Sequence, residues 1–328
     1  MRILVRMPNW IGDAVMATPT LHNLKQHFPD ARLTLLASRP VAEMFRLDPS
    51  IHAVVVDVSK SRRPRLAGIL SAGRAIRNEQ GPFDLALCFT NSFASKLVLR
   101  LAGARRRVGV GRDWTDLLLT HPIRVDRTMH QVEVWNAMLN GYLQTDYAAG
   151  PTRLYVPEPH RYRRPTLGIN PGAAYGSAKR WDPRRFAAVA ARLADRFDVV
   201  IFGGPSETEM AAEIERVLVE QQVTNYENIA GRTTVAELLA RIAGLRLFVT
   251  NDSGPMHIAG ALGVPSVAIF GSTSHLQTCQ WNNPQSAIVR HELACAPCMQ
   301  RVCPLGHHDC MEKVDAQQVL TAALKLVA

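Results

Sequence analysis

The feature that most constrains the fold of this 328-residue chain is an alternation of short apolar, β-branched runs with longer helical patterns. This alternation is typical of parallel β-sheets covered by helices, because a crossover between parallel strands needs a helix-length connection. The pattern occurs in both halves, so we expect an α/β protein built from two doubly wound domains. The predicted strands are 3–6, 33–37, 53–57, 85–89, 107–110, 166–170, 199–202, 247–250, 266–270 and 287–290.

The domain boundary is predicted by residues 155–166 (YVPEPHRYRRPT), which contain three prolines and no apolar periodicity. We therefore expect a first domain over 1–158 and a second over 166–314. The last stretch, 315–328, places a capping acid before apolar residues at helical spacing and predicts a final helix. No apolar run approaches the roughly 20 residues of a membrane-spanning helix, and early charges disfavour a secretion signal. We expect a cytoplasmic protein.

The formal charge of +10 is carried by the first half of the chain. Residues 1–164 contain 24 Lys and Arg against 13 Asp and Glu, whereas residues 165–328 contain 14 against 15. Such a field attracts phosphates, carboxylates, nucleic acid or an anionic membrane surface, although a solvated basic face explains any one cluster equally well. Nucleic acid is not expected as a partner, because the basic half lacks interleaved aromatic residues and any recognisable nucleic-acid module.

The strongest candidate site is the loop within residues 249–271 (VTNDSGPMHIAGALGVPSVAIFG), where a predicted strand ends and a helix begins. Ser253 and Gly254 form a predicted tight turn, and the exposed amides of the first helical turn make an anion site. Gly254 lets a phosphate approach the backbone, and His257 can donate to a phosphate oxygen. Asp252 can accept hydrogen bonds from sugar hydroxyls. The structural interpretation, in which Asp252 or Ser253 caps the helix and His257 packs, stays open.

Two further loops of the second half contain candidate ligands. In INPGAAYGSAKRWDPRRF the small residues allow close backbone approach and Lys179 supplies a positive charge, although a solvated lysine is the common alternative. In FGGPSETE, Glu207 could hold a ribose diol, whereas Ser206 with Glu209 resembles a capping box. No Walker loop is present and no G-x-G-x-x-G follows a strand, which argues against a dinucleotide dehydrogenase. The three loops together predict a nucleotide diphosphate site.

The first loop of the chain, within RMPNWIGDAVMATPTL, contains a single acid, Asp13. A group transfer from an activated diphosphate needs a base that removes the proton of the attacking hydroxyl. Asp13 follows the first predicted strand and is our candidate for that base, with helix capping as the alternative. Pro19 favours a kink or a late start of the helix, which weakens the capping interpretation.

These motifs carry a resemblance to a known family. In order along the chain, NWIGDAVMATPTL, NPGAAYGSAKRW, FGGPSE and NDSGPMHIAGALGVPSVAIFG resemble the ADP-heptose:lipopolysaccharide heptosyltransferases, and most closely their heptosyltransferase II branch. The resemblance implies the GT-B fold, with two Rossmann-like domains. It also implies an inverting transfer of L-glycero-D-manno-heptose from ADP-heptose to the inner core of lipopolysaccharide, without a cofactor for the chemistry. The enzyme would be a monomer, peripheral to the inner membrane on its cytoplasmic side.

The resemblance also assigns roles to individual residues. Asp13 takes the place of the general base, Lys179 that of a pyrophosphate ligand and Glu207 that of the acid near the ribose. The loop that holds the heptosyl diphosphate corresponds to Asp252, Ser253, Gly254 and His257. The expected acceptor-side residues are Trp10, Gly12, Arg62 and Arg63. The last helix, 315–328, is expected to cross back to the first domain.

Four of the six cysteines lie within CAPCMQRVCPLGHHDC, at Cys295, Cys298, Cys303 and Cys310. The spacing C-x2-C-x4-C-x6-C could close on one zinc or iron ion, which would be structural because the cluster supplies no free acid. Four reduced thiols in a compact loop are the alternative interpretation. Stable disulfides are not expected in the cytoplasm.

Other functions also fit the residues. The enzymatic alternatives are heptosyltransferase I and another GT-B sugar-nucleotide enzyme, such as a different glycosyltransferase or a nucleotide-sugar epimerase. The alternative outside enzymes is a binding protein whose basic half holds anions while its second domain senses a nucleotide. Loss of transfer with retained donor binding, on replacement of Asp13, would distinguish an enzyme from a sensor.

Overall fold

The computed structural model describes residues 1–59 and 64–328. It divides into two units, Met1–Tyr155 and Val156–Ala328, close to the predicted boundary. The predicted acceptor-side residues Arg62 and Arg63 lie outside the described residues.

The first unit is a six-stranded parallel sheet with helices in the crossovers. Its strands are β1 (Arg2–Arg6), β2 (Arg32–Ala37), β3 (Ala53–Val56), β4 (Leu85–Cys88), β5 (Arg106–Val110) and β6 (His121–Ile123). Its helices are α1 (Ile11–Met16), α2 (Thr18–His27), α3 (Arg39–Phe45), α4 (Arg65–Gln80), α5 (Phe93–Leu101), the 3₁₀ helix η1 (Trp114–Leu118) and α6 (Gln131–Leu143).

The second unit repeats this plan. Its strands are β7 (Thr166–Asn170), β8 (Asp198–Ile201), β9 (Tyr226–Asn228), β10 (Leu247–Asn251), β11 (Ser266–Phe270) and β12 (Ser286–Arg290). Its helices are the 3₁₀ helix η2 (Ser177–Lys179), α7 (Pro183–Leu193), the 3₁₀ helix η3 (Pro205–Glu207), α8 (Thr208–Glu220), α9 (Val235–Ala243), α10 (Gly254–Ala261), α11 (His275–Thr278), α12 (Asp309–Glu312) and α13 (Ala316–Leu326).

Both sheets have the strand order of a doubly wound fold. The first has the order β3-β2-β1-β4-β5-β6, and the second has the equivalent order β9-β8-β7-β10-β11-β12. The central strands are buried on both faces, as the uninterrupted burial of β4, β7, β10 and β11 shows. Each fully buried Val, Leu or Ile stabilises such a core by about 1.5–3 kcal/mol. The predicted pair of doubly wound, Rossmann-like sheets is therefore confirmed.

Two strands were missing from the sequence prediction. Both β6 (HPI) and β9 (YEN) are only three residues long and lie at the edge of their sheet. An edge strand is covered less completely than a central strand, so these residues have no apolar run that would reveal them.

The last helix was expected to cross back to the first domain, but it packs in the second unit. α13 lies within the second unit, where Val319, Leu320 and Ala323 are part of the hydrophobic core. The helix contacts α7 and β12.

Among the helices within residues 1–59 and 64–328, none combines the length and the apolar character needed to cross a membrane.

Candidate functional site

The strand order places the candidate loops of the second unit next to one another. β7 and β10 are adjacent and parallel, although the chain leaves them in opposite directions across the sheet, to β8 on one side and β11 on the other. In open α/β sheets, ligands bind outside the carboxyl ends of the strands at such a switch point. Lys179 follows β7, and Asp252 follows β10 directly.

The amino end of α10 is the candidate anion site. Ser253 occupies the N-cap position but makes no side-chain cap hydrogen bond, and Pro255 stands in the first turn. The Ser253 hydroxyl instead accepts a hydrogen bond of 3.1 Å from the Asn170 side chain. The structural interpretation of Ser253 as a side-chain cap is therefore wrong, and the first-turn amides are not occupied by that hydroxyl. His257 lies one turn into α10 and is buried.

Asp252 and Lys179 form a buried ion pair. The Lys179 Nζ to Asp252 Oδ2 distance is 2.5 Å, and the two side chains are 12% and 3% exposed. The Thr273 hydroxyl donates to the same carboxylate oxygen over 2.5 Å. Lys179 Nζ also lies 4.9 Å from the centre of the Tyr175 ring, within reach of a cation–π interaction. Lys179 is thus a positioned charge next to α10, not the solvated surface lysine of the alternative interpretation.

Glu207 lies in the same region, at the end of η3. Its Oε2 accepts a hydrogen bond of 2.7 Å from the Gly204 amide, and the residue is buried. A Cβ atom added to Gly172, in the loop after β7, would lie 2.1 Å from the Glu207 carboxylate. The loop after β7 therefore passes directly against Glu207, and a side chain at position 172 would require the Glu207 carboxylate to move. The expected capping box of Ser206 with Glu209 is absent, because Glu207 is the residue that caps this turn.

We predict that Gly172→Ala displaces the Glu207 carboxylate and weakens the binding of ADP, the nucleotide that the resemblance implies, measured by isothermal titration calorimetry. A lost hydrogen bond to a charged group corresponds to roughly tenfold or more in the dissociation constant. Gly204→Ala is the matched control, because a Cβ there would lie 3.5 Å from the same carboxylate, which is ordinary contact. Equal affinities of the two variants would refute a role of Glu207 in ADP binding.

Sequence analysis missed the polar residues that link the loops. Asn170 ends β7 and donates to the Thr250 and Ser253 hydroxyls, each over 3.1 Å. Asn251 ends β10, donates to the Pro171 carbonyl over 2.7 Å and accepts from the Trp181 amide over 3.2 Å. The available signal was an asparagine at the end of two buried strands, where a side-chain amide has to find a partner.

The cysteine-containing segment supports the loops after β7 and β11 through its backbone. The Met299 amide donates to the Ser272 carbonyl over 2.7 Å, and the Met299 carbonyl accepts from the Tyr175 hydroxyl over 2.7 Å. The Ala178 amide donates to the Arg301 carbonyl over 3.0 Å. Since Lys179 follows Ala178 and Thr273 follows Ser272, this segment helps to hold both partners of Asp252 in place.

The four cysteines line one small cavity of about 20 Å³, together with Ser272 and His308. Burial, followed by the neighbouring thiols, raises the pKa of Cys310, whereas backbone amides led by that of His308 lower the pKa of Cys303. Within the described residues, no group of three or more His, Cys, Asp or Glu side chains is arranged to hold a metal ion. The predicted zinc or iron at Cys295, Cys298, Cys303 and Cys310 is therefore unsupported, because convergence on a cavity is not tetrahedral ligand geometry.

In the first unit, the loop after β1 is anchored by a buried arginine. Arg6 donates to Asp57 Oδ2 over 2.8 Å, to Asn9 Oδ1 over 2.9 Å and to the Met7 carbonyl over 2.7 Å. The Ser38 hydroxyl also donates to the Asn9 carbonyl over 3.0 Å. The loop that leads to Asp13 is thus fixed on both sides of Pro8.

Asp13 lies in the first turn of α1 and is partly buried. The N-cap residue of this helix is Trp10, so Asp13 is not its cap. α1 ends at Met16 and a second helix, α2, begins at Thr18 with Pro19 in its first turn, in line with the kink or late start predicted from that proline. Trp10 is 50% exposed, whereas Gly12 is buried. The loop after β1 and the first turn of α1 therefore hold an indole, that of Trp10, and a carboxylate, that of Asp13.

The chain is similar to known heptosyltransferases over most of its length. The model of glycosyltransferase family 9 (heptosyltransferase) matches residues 69–308. Lipooligosaccharide heptosyltransferase 2 of Campylobacter jejuni is 34% identical over 100% of this chain and 98% of its own length. Lipopolysaccharide heptosyltransferase 2 of Escherichia coli K12 is 29% identical, with 84% of each chain covered.

Solved structures agree with these relatives. The E. coli ADP-heptose lps heptosyltransferase II is 27% identical, with a TM-score of 0.85 over 100% of this chain and 98% of that one. This match confirms the predicted GT-B fold. It also favours a glycosyltransferase over the epimerase and the nucleotide sensor that the residues alone left open. The chain belongs to glycosyltransferase family 9, the heptosyltransferases.

Proposed function

We propose that this enzyme transfers L-glycero-D-manno-heptose from ADP-heptose to a heptose already on the Kdo–lipid A acceptor, the reaction of heptosyltransferase II. Relatives that bear this name and align over the whole chain support the proposal. The observation that carries it is the convergence of Lys179, Glu207 and the amino end of α10 at the switch point of the second sheet. That arrangement offers a cation, a buried acid and helix amides to one nucleotide diphosphate.

On the donor side, we assign the pyrophosphate to Lys179 and the first-turn amides of α10, next to Gly254 and His257. An ammonium group has three N–H donors, and Asp252 accepts from Lys179 through its carboxylate and its backbone carbonyl. The third N–H is the one that we assign to a phosphate oxygen. Negative charge grows on the leaving ADP as the glycosidic bond breaks, so a fixed cation stabilises the transition state more than the ground state.

On the acceptor side, Asp13 is the proposed general base. The acceptor hydroxyl attacks the anomeric carbon from the face opposite the diphosphate, its proton passes to the Asp13 carboxylate, and ADP leaves with the electron pair of the broken bond. A single displacement of this kind inverts the anomeric configuration. Trp10 offers a flat face to a sugar ring, Gly12 allows close approach, and Arg62 with Arg63 would bind acidic groups of the acceptor.

We assign the acceptor to the first unit and ADP-heptose to the second. The enzyme would act as a cytoplasmic monomer at the inner membrane surface, because its acceptor is held there by lipid. The charge of the first unit fits this assignment, with 21 Lys and Arg against 12 Asp and Glu in residues 1–155.

The test is incubation with ADP-heptose and two defined acceptors, one with Kdo alone and one that already bears the first heptose, read by mass spectrometry. We expect one added heptose on the second acceptor only. Addition to the Kdo-only acceptor would assign the chain to heptosyltransferase I, and addition to neither would overturn the proposed reaction.

A further inference from the structure

Three large apolar side chains are exposed together on the first unit. Trp114 is 71% exposed, Leu117 is 83% exposed and Phe93 is 40% exposed. The rings of Phe93 and Trp114 pack against each other with centroids 5.6 Å apart. A single exposed apolar residue is ordinary in a protein of this size, but an aromatic pair beside an exposed leucine forms a patch, and such patches mark interaction sites. We call Phe93, Trp114 and Leu117 the apolar patch.

The patch is displayed by a buried polar anchor. Lys96 on α5 is fully buried and donates to the Thr115 hydroxyl over 2.7 Å and to Asp116 Oδ1 over 2.8 Å. These bonds turn Thr115 and Asp116 of η1 inward, so Trp114 and Leu117 on the same short helix point outward. A buried lysine is costly unless it is paired. The anchor therefore fixes the outward direction of the patch.

The patch lies at the carboxyl end of the strands of its sheet. Phe93 begins α5 after the carboxyl end of β4, and η1 follows the carboxyl end of β5. All six strands are parallel, so Asp13, which follows β1, lies beyond the same end of the sheet. Four exposed arginines also follow strands at this end of the sheet: Arg39 after β2, Arg112 after β5, and Arg124 and Arg127 after β6.

We propose that the apolar patch and the four arginines at the same end of the sheet form a membrane-docking surface for an anionic lipid bilayer. This inference rests on the proposed function, since it supplies a way for the first unit to approach an acceptor that is held in a bilayer. Tryptophan is favoured at the boundary between headgroups and acyl chains, because its ring is largely apolar but carries a polar N–H group. Phenylalanine and leucine bury their apolar side chains at the same boundary. Arginines near the surface add electrostatic attraction to anionic lipids. The net positive charge of the first unit favours the same partner.

The test compares wild type with the double variant Trp114→Ser/Leu117→Ser in binding to vesicles of about three parts phosphatidylethanolamine to one part phosphatidylglycerol. Removing a tryptophan and a leucine from the lipid boundary is expected to weaken partitioning at least about tenfold. Vesicles with brominated acyl chains should quench part of the wild-type tryptophan fluorescence, and Trp114→Ser alone should remove that quenched part. Wild-type binding should also weaken as salt is raised.

Leu47→Ser is the matched control. Leu47 is 59% exposed in the same unit. It follows α3, which connects the parallel strands β2 and β3 and therefore runs back to the amino end of the strands, away from the patch. Its replacement should leave vesicle binding within about twofold, because a single apolar contact away from the bilayer contributes nothing to partitioning. Thermal unfolding of all variants verifies that they are folded.

Activity assays separate this inference from the proposed function. With a de-acylated, soluble acceptor, the double variant should keep wild-type kcat/KM, whereas with the acceptor in vesicles its rate should fall with its binding. Equal loss on both acceptors would overturn the inference, because the patch would then bind acceptor sugar or support the fold. Unchanged vesicle binding, or conversion of a wild-type dimer to a monomer without loss of vesicle binding, would also overturn it. Vesicle binding by a wild-type enzyme that transfers to neither acceptor would refute the proposed function and leave the docking surface standing.

Discussion

Replacement of Asp13 by asparagine is expected to lower kcat for heptosyl transfer by about 10²- to 10⁴-fold, the contribution typical of a general base. The asparagine side chain has the same shape but cannot take the proton of the attacking hydroxyl. The dissociation constant of ADP should stay within about twofold, because the lost group is assigned to the acceptor side and not to the phosphates. Steady-state rates with a soluble acceptor and calorimetric titration with ADP measure the two quantities.

Thermal unfolding of this variant verifies that the lost activity does not come from unfolding. Asp13 lies in the first turn of α1, and loss of its favourable interaction with the helix dipole costs about 0.3–1 kcal/mol. Asp30→Asn is the control, because Asp30 is exposed in the turn after α2 of the same unit. If Asp13→Asn transferred heptose at the wild-type rate, another residue would have to be the base.

Replacement of Lys179 by methionine should weaken ADP and ADP-heptose binding by about 10- to 100-fold, since a hydrogen bond to a charged group contributes about 1.5–3 kcal/mol. It should also destabilise the second unit by about 3–5 kcal/mol, because Asp252 is only 3% exposed and would be left as a buried, unpaired carboxylate. Calorimetric titration and thermal unfolding measure the two effects.

The double variant Lys179→Met/Asp252→Asn separates these effects. Asparagine can still accept the hydrogen bond from the Thr273 hydroxyl but carries no charge, so most of the lost stability should return. ADP binding should remain weak, because no cation has been restored at the phosphates. Recovery of both properties together would show that Lys179 acts only through the fold and does not bind the diphosphate.

Most of the fold was readable from local patterns. The ten predicted strands correspond to ten of the twelve in the described residues, and the exceptions, β6 and β9, are three-residue edge strands. Hydrophobic periodicity reports burial, so it reveals central strands and misses short edges. The last helix was also predicted as a helix, but its partner was not, because an apolar face does not specify which unit covers it.

The candidate site was readable as a set of loops but not as a geometry. Lys179, Glu207 and Asp252 each follow a strand, and parallel strands bring such loops to the same end of the sheet. Their contacts were not predictable. The contact of Gly172 with Glu207 joins residues 35 positions apart in the chain, and that of Lys179 with Asp252 joins residues 73 apart.

The chain alone therefore specifies two doubly wound domains, the loops that contain the candidate site residues and membership of the heptosyltransferase family, since all of these are determined by local runs of residues. Tertiary structure settled three other points: that Trp10, not Asp13, occupies the cap of α1, that Asp252 pairs with Lys179, and that the cysteines surround a cavity. The physical reason is that periodicity and turn chemistry act over a few residues. Ion pairing and burial, in contrast, depend on strand order, which brings distant segments together.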